Sequence, residues 1–210
     1  MSAGSVVSQL PWMWLVSRAS GVMLLVLFSS VFVLGISTRL GARLKSVPRF
    51  AVAELHRTLA LFSVALLALH VATAMLDPYV SIGWWAAVLP FASHCRPLAL
   101  GLGTLAVDLG AAVLITSLVR RRLGHRWWRA VHWLAYVSWP VAFMHALSAG
   151  TDMGIWWVAA LVWGSGSAVA LAVVDRVLFA RQSKSSRMML PERSNPVAEQ
   201  PVGVGPKVRP

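Results

Sequence analysis

The sequence predicts an all-α integral membrane protein: a bundle of five transmembrane helices with the N-terminus outside and the C-terminus in the cytoplasm. Three observations carry this. Of 210 residues, 58% are hydrophobic and only 12% charged, and the mean hydropathy of +0.69 lies far from the balance of a water-soluble domain. Five apolar runs, roughly 16–37, 52–76, 98–119, 130–149 and 154–175, reach the ~20 residues a helix needs to cross about 30 Å of hydrocarbon. The basic residues are sorted unequally between the connections.

The first seventeen residues carry no charge and no basic leader pattern, so the first run is expected to act as its own targeting signal. Arg39, Arg43, Lys45 and Arg49 follow it. The second run ends at a connection, 77–97, that holds Asp77-Pro78, Trp84-Trp85 and His94-Cys95-Arg96-Pro97, with Arg96 its one basic residue. Gly101, Gly103 and Gly110 in the third run allow close helix approach. Asp108, near that run's middle, is expected to be neutralised or hydrogen-bonded, with Thr104 one turn away; a proton relay and helix packing both stay open. Arg120, Arg121, Arg122, Arg126 and Arg129 come next, and Arg176, Arg181, Lys184 and Arg187 follow the fifth run. By the positive-inside rule these clusters face the cytoplasm, and the second and fourth runs travel the same way, from inside to outside. Paired tryptophans at 84–85, 127–128 and 156–157 suit the headgroup layers. The expected organisation is an N-terminal segment 1–11, a membrane domain 12–176 and a disordered basic cytoplasmic tail 177–210.

The net charge of +12 lies in short clusters between apolar runs and in the tail, which is a topology signal and excludes a nucleic-acid stripe. A lone Cys95 forms no internal disulfide, and no zinc-ligand spacing exists.

The candidate functional residues are histidines inside apolar runs. His56 and His70 are fourteen residues apart, and His132 and His145 thirteen. At about 1.5 Å and 100° per residue, the first pair is separated by roughly 21 Å of helix and lies within roughly 40° of one face. Because the two runs are parallel, His56 meets His132 near the cytoplasmic side and His70 meets His145 near the outer side. Two stacked metal centres need that arrangement, and an imidazole on each face of a heme iron favours electron transfer. Thirteen residues leave His132 and His145 roughly 140° apart on an ideal helix, so a kink or overwinding is expected at Pro140 between them.

Each candidate has a plainer reading. A single histidine on an apolar face is usually a packed residue, but four in membrane helices are costly without a function. His125 shares the face of His132 yet sits among arginines, which favours a headgroup contact. His94 and Cys95 lack the further ligands of a metal site. Arg57, beside His56, and Arg18, near the outer end of the first run, suit heme propionates or ordinary snorkelling to headgroups. Trp139 suits a place between two hemes or in the core.

Over about residues 12–176 the chain resembles the ferric reductase-like transmembrane domain of NADPH oxidases, ferric reductases and the heme-binding subunit of bacterial methionine sulfoxide reductase. The likeness rests on the two histidine pairs, on Leu55-His56-Arg57, on the stretch from Arg129 through His132-Trp133 to Tyr136, on Ser17-Arg18 with Gly21, and on Gly150-Thr151-Asp152. It implies two b-type hemes, ligated by His56 with His132 (inner) and His70 with His145 (outer), and electrons moving outward through a multi-pass protein of a bacterial plasma membrane. The oxidases add a helix before this core and a flavin and nicotinamide domain after it. Here about 34 residues follow the last run, without GxGxxG, so the expected donor is a separate cytoplasmic flavoprotein or reduced flavin. The acceptor is a ferric chelate, oxygen or a partner reductase on the outer side. No catalytic residue is expected in what reads as the heme-binding membrane subunit of an oxidoreductase. A heme-bearing anchor without its own reaction and a quinone-linked cytochrome b are the alternatives.

Overall fold

The computed structural model describes residues 12–37, 48–77 and 82–188. Every regular element among them is helical: α1 Trp12–Ser37, α2 Arg49–Leu76, a 3-10 turn Trp84–Ala87, α3 Pro97–Leu118, α4 Arg120–Leu123, α5 His125–His132, α6 Ala135–Ala149, a second 3-10 turn Asp152–Gly154, and α7 Trp156–Met188. Arg39, Arg43, Lys45, Pro78, the segment 1–11 and the tail from 189 onward lie outside the described residues.

Among the described residues four helices are long and apolar enough to cross a membrane: Trp12–Ser37, Phe50–Leu76, Pro97–Leu118 and Trp156–Gln182. The fourth run of the sequence is not one continuous helix. It divides into α5 and α6 at Trp133–Leu134, where hydrogen bonds from Leu134 to Val131 O (2.9 Å), Tyr136 to Trp133 O (3.0 Å) and Val137 to Leu134 O (3.0 Å) close i to i+3 turns. Each residue wound this tightly gains about 20° over an α-helical one, the sense needed to bring His132 and His145 toward one face. The overwinding thus sits well before Pro140, which is carried inside α6. A 3-10 turn eclipses positions three apart, and Trp133 and Tyr136 accordingly stack at 4.9 Å.

α1 is the hub, packing most extensively on α2, then on α7 and on α6, while α3 packs on α6. One core cluster joins Phe32 and Ile36 of α1 to Trp139 of α6 and Val169 of α7, and a second joins Leu25 to Val158 and Val162. Ser29, buried in α1, returns its hydroxyl to Leu25 O at 2.7 Å and accepts the Trp139 indole N–H at 3.0 Å. Trp139 therefore belongs to the core between α1, α6 and α7.

The connection before α3 folds back onto that helix. The Phe91 ring covers Gly101, where a Cβ would fall 2.2 Å from the ring, and Thr104 donates to Ala86 O at 2.6 Å. Thr104 is thereby committed to the loop, and Asp108 lies exposed on α3. α7 stays helical past residue 176 to Met188, so its thirty-three residues span about 50 Å at 1.5 Å each, well beyond one hydrocarbon thickness.

Candidate functional site

α2 and α6 stand on opposite sides of a cavity of about 1650 Å³, lined by His56, His70, His132 and His145 together. Three of the four rings are seated in one way. His70 Nδ1 lies 2.8 Å from Ser17 O, His56 Nδ1 2.9 Å from Val31 O, and His145 Nδ1 2.7 Å from Ala99 O. A carbonyl only accepts, so each Nδ1 donates its proton, which fixes the tautomer and leaves Nε2 with a lone pair for a metal. Ser20 adds a hydroxyl 3.4 Å from His70 Nδ1.

Four residues after each of these carbonyls stands a glycine: Gly21, Gly35 and Gly103. Residues four apart lie over one another on a helix face. A side chain on the second would therefore block a ring's approach to the carbonyl of the first. A Cβ at Gly21 would come 3.0 Å from His70 Cε1, at Gly35 3.3 Å from His56 Cε1, and at Gly103 2.7 Å from His145 Cε1. The glycine of α3 read as a simple packing position is thus a seat for a ring, while Gly101 seats Phe91. Sequence reasoning missed these seats, although Gly21 and Gly35 repeat the fourteen-residue spacing of His70 and His56 in antiparallel order.

His70 and His145 approach each other, with ring centres 6.4 Å apart and planes at 74°. Two metal–imidazole bonds of roughly 2 Å, plus about 1.2 Å from nitrogen to ring centre on each side, amount to about 6.4 Å. Two imidazoles whose Nε2 atoms faced each other across one metal ion would show this separation. Among the described residues no group of three or more His, Cys, Asp or Glu side chains could hold a metal ion. A metal held by this pair takes two protein ligands and its remaining ones from elsewhere, as heme iron does from a porphyrin. His56 and His132 border the other end of the cavity, where His132 stacks on Trp128 at 5.0 Å.

Charge collects at both ends. By His70, Arg18 donates through Nε to Asp152 Oδ2 at 2.6 Å and lies over Trp14 at 5.3 Å, with its side chain only 20% exposed. Arg96 donates to Ser148 O at 2.6 Å. By His56, Arg57 approaches Glu54 at 3.7 Å on an exposed face. Arg120, Arg121, Arg129 and Arg176 also line the cavity, and Arg176 donates to the Tyr136 hydroxyl while lying over Trp133 and Tyr136. Asp108 and Trp139 do not line it. His94 and Cys95 are exposed in the loop before α3, and His125 is exposed, 5.5 Å from the Trp128 ring.

Residues 20–143 match the family model described as ferric reductase like transmembrane component. His56, Arg57, His70 and His132 fall within this stretch, with Arg18 just before it and His145 just after. No curated protein and no solved structure matches the chain.

Proposed function

The chain belongs to the ferric reductase like transmembrane component family, and on that premise we propose that it is a diheme conduit carrying electrons across a cell membrane. In this reading the chain crosses five times with its N-terminus outside, so that His56 and His132 would hold an inner b-type heme and His70 and His145 an outer one. The observation that supports this most is the outer pair. Its ring centres lie 6.4 Å apart, the separation two imidazoles would have across one metal, each with Nδ1 tied to a helix carbonyl and Nε2 left over. The cavity exceeds the ~300–1,000 Å³ of a pocket for one small ligand.

A heme held by such a pair would supply reversible one-electron exchange. The remaining work falls to the chain. Carbonyls of α1 and α3 orient the ligand rings and raise their basicity. Arg18, held by Asp152, and Arg57 are placed at opposite ends for propionates. Arg120, Arg121 and Arg129 give the inner mouth a positive field that draws an acidic flavoprotein or the phosphate of a reduced flavin. The acceptor is an outer-side ferric chelate, oxygen or partner reductase.

The test is the purified chain's reduced-minus-oxidised spectrum with heme counted per polypeptide. Two low-spin hemes are expected, and a stable chain that takes up no heme would refute the proposal.

A further inference from the structure

Beside the fourth histidine the spacing of the glycines meets a serine. Counting fourteen residues on from Gly103, as Gly35 follows Gly21, arrives at Ser117. Its hydroxyl turns back to Val113 O at 2.7 Å, the carbonyl four residues earlier, and accepts the Trp128 indole N–H at 3.3 Å. Trp128 in turn lies against His132, with ring centres 5.0 Å apart and planes at 26°. Ser117, Trp128 and His132 all line the cavity.

We propose that Trp128, anchored through its N–H on Ser117, is the positioning residue for His132. The inference rests on the diheme reading. A half-buried indole finds a partner for its N–H, and the Ser117 hydroxyl fixes the plane of the ring by supplying one. A fixed plane on one side of an imidazole leaves it little freedom to swing about its Cβ–Cγ bond. Trp128 sits four residues before His132, so the two rings share one face of α5. Trp127, one residue away and 71% exposed, has no such role. The inner centre is therefore sensitive to α5, the short basic helix beside it, in a way that the outer centre is not.

The test uses the full chain purified with its hemes and compares Trp128→Leu, Trp128→Phe, Ser117→Ala and Trp127→Leu with the parent. The readouts are ferric electron paramagnetic resonance and the two midpoint potentials, with His132→Ala identifying which signals belong to the inner centre. Trp128→Leu is expected to move or broaden the inner low-spin signal and shift its potential while the outer signal stays. Ser117→Ala, which loses the anchor alone, and Trp128→Phe, which keeps a ring but has no N–H to anchor it, should both fall between Trp128→Leu and the parent, and Trp127→Leu should match the parent. An inner signal that ignores Trp128→Leu, or one that moves equally with the outer signal, overturns the assignment. A His132→Ala chain that keeps both hemes overturns the diheme reading itself.

Discussion

Substituting Gly103 with alanine adds one methyl group to a helix, a change that intrinsic propensity favours by about 1 kcal/mol. The structure makes it harmful instead. The new Cβ would lie 2.7 Å from His145 Cε1 and 2.9 Å from Nδ1, whereas carbon contacts are comfortable at about 3.5–4.0 Å. The ring must therefore withdraw by about 0.8 Å. Its Nδ1 starts 2.7 Å from Ala99 O, and the same withdrawal stretches that hydrogen bond to about 3.5 Å, past its useful range. Losing a bond that orients a metal-binding histidine weakens metal affinity by about 10–100-fold, or about 1.4–2.7 kcal/mol. Heme titration of the apo chain should show this loss at the outer centre alone. The series is graded by contact distance: Gly21→Ala, at 3.0 Å, should also harm the outer centre but less, and Gly35→Ala, at 3.3 Å, should touch only the inner one. Gly110→Ala, whose Cβ would sit an ordinary 3.9 Å from Ser138 Oγ, is the control. Full outer occupancy in Gly103→Ala, or equal losses across all four, would refute the seat argument.

Replacing His70 or His145 by alanine should remove one heme and leave the other, and replacing His56 or His132 should do the reverse; loss of the same centre from His56 and His145 variants contradicts the pairing. Trp139→Ala should destabilise the fold by about 3–5 kcal/mol while leaving both heme spectra intact, because the ring is 8% exposed and packed away from the cavity; a spectral change without lower thermal stability places it beside a heme instead. NADH or NADPH alone should not reduce the purified chain. A flavin reductase should do so, and more slowly as salt shortens the Debye length from about 10 Å at 0.1 M toward about 3 Å at 1 M. A rate indifferent to salt removes the electrostatic steering.

The apolar runs and their histidines are legible in the sequence because both are one-dimensional signals: twenty greasy residues, and an imidazole where lipid tolerates none. The break in the fourth run falls away from its expected place for a physical reason. Proline removes one N–H, which α6 absorbs at Pro140, whereas the overwound turn lies where Arg176 of α7 packs over the stacked rings of Trp133 and Tyr136, a contact between distant stretches of chain. Helical periodicity makes Thr104 a neighbour of Asp108 and suggests a bond between them, but that hydroxyl is taken by Ala86 of the preceding loop. No local pattern announces such a contact. Trp139 sits between the two histidines in sequence, yet faces away from the cavity because its indole N–H has Ser29 to reach on α1.

The glycine seats expose an order in the chain that residue similarity conceals. No internal repeat is evident in the sequence, yet the helices alternate in what they contribute, for α1 offers carbonyls, α2 offers histidines, α3 offers a carbonyl again, and α5 with α6 offer histidines. Each seat helix runs antiparallel to the ligand helix after it, as shown by Ser17 with His70 and Val31 with His56. Such a hairpin can hold its histidines before the other hairpin arrives, since the hydrogen bonds lie within it. The cavity then forms between two preset walls. A metal-binding imidazole held in place by its own hairpin has less rotational freedom to lose on ligation. Glycine at these positions gives up helix propensity to open each seat, and His70 and His145, both seated this way, are the two whose ring centres the fold brings to 6.4 Å.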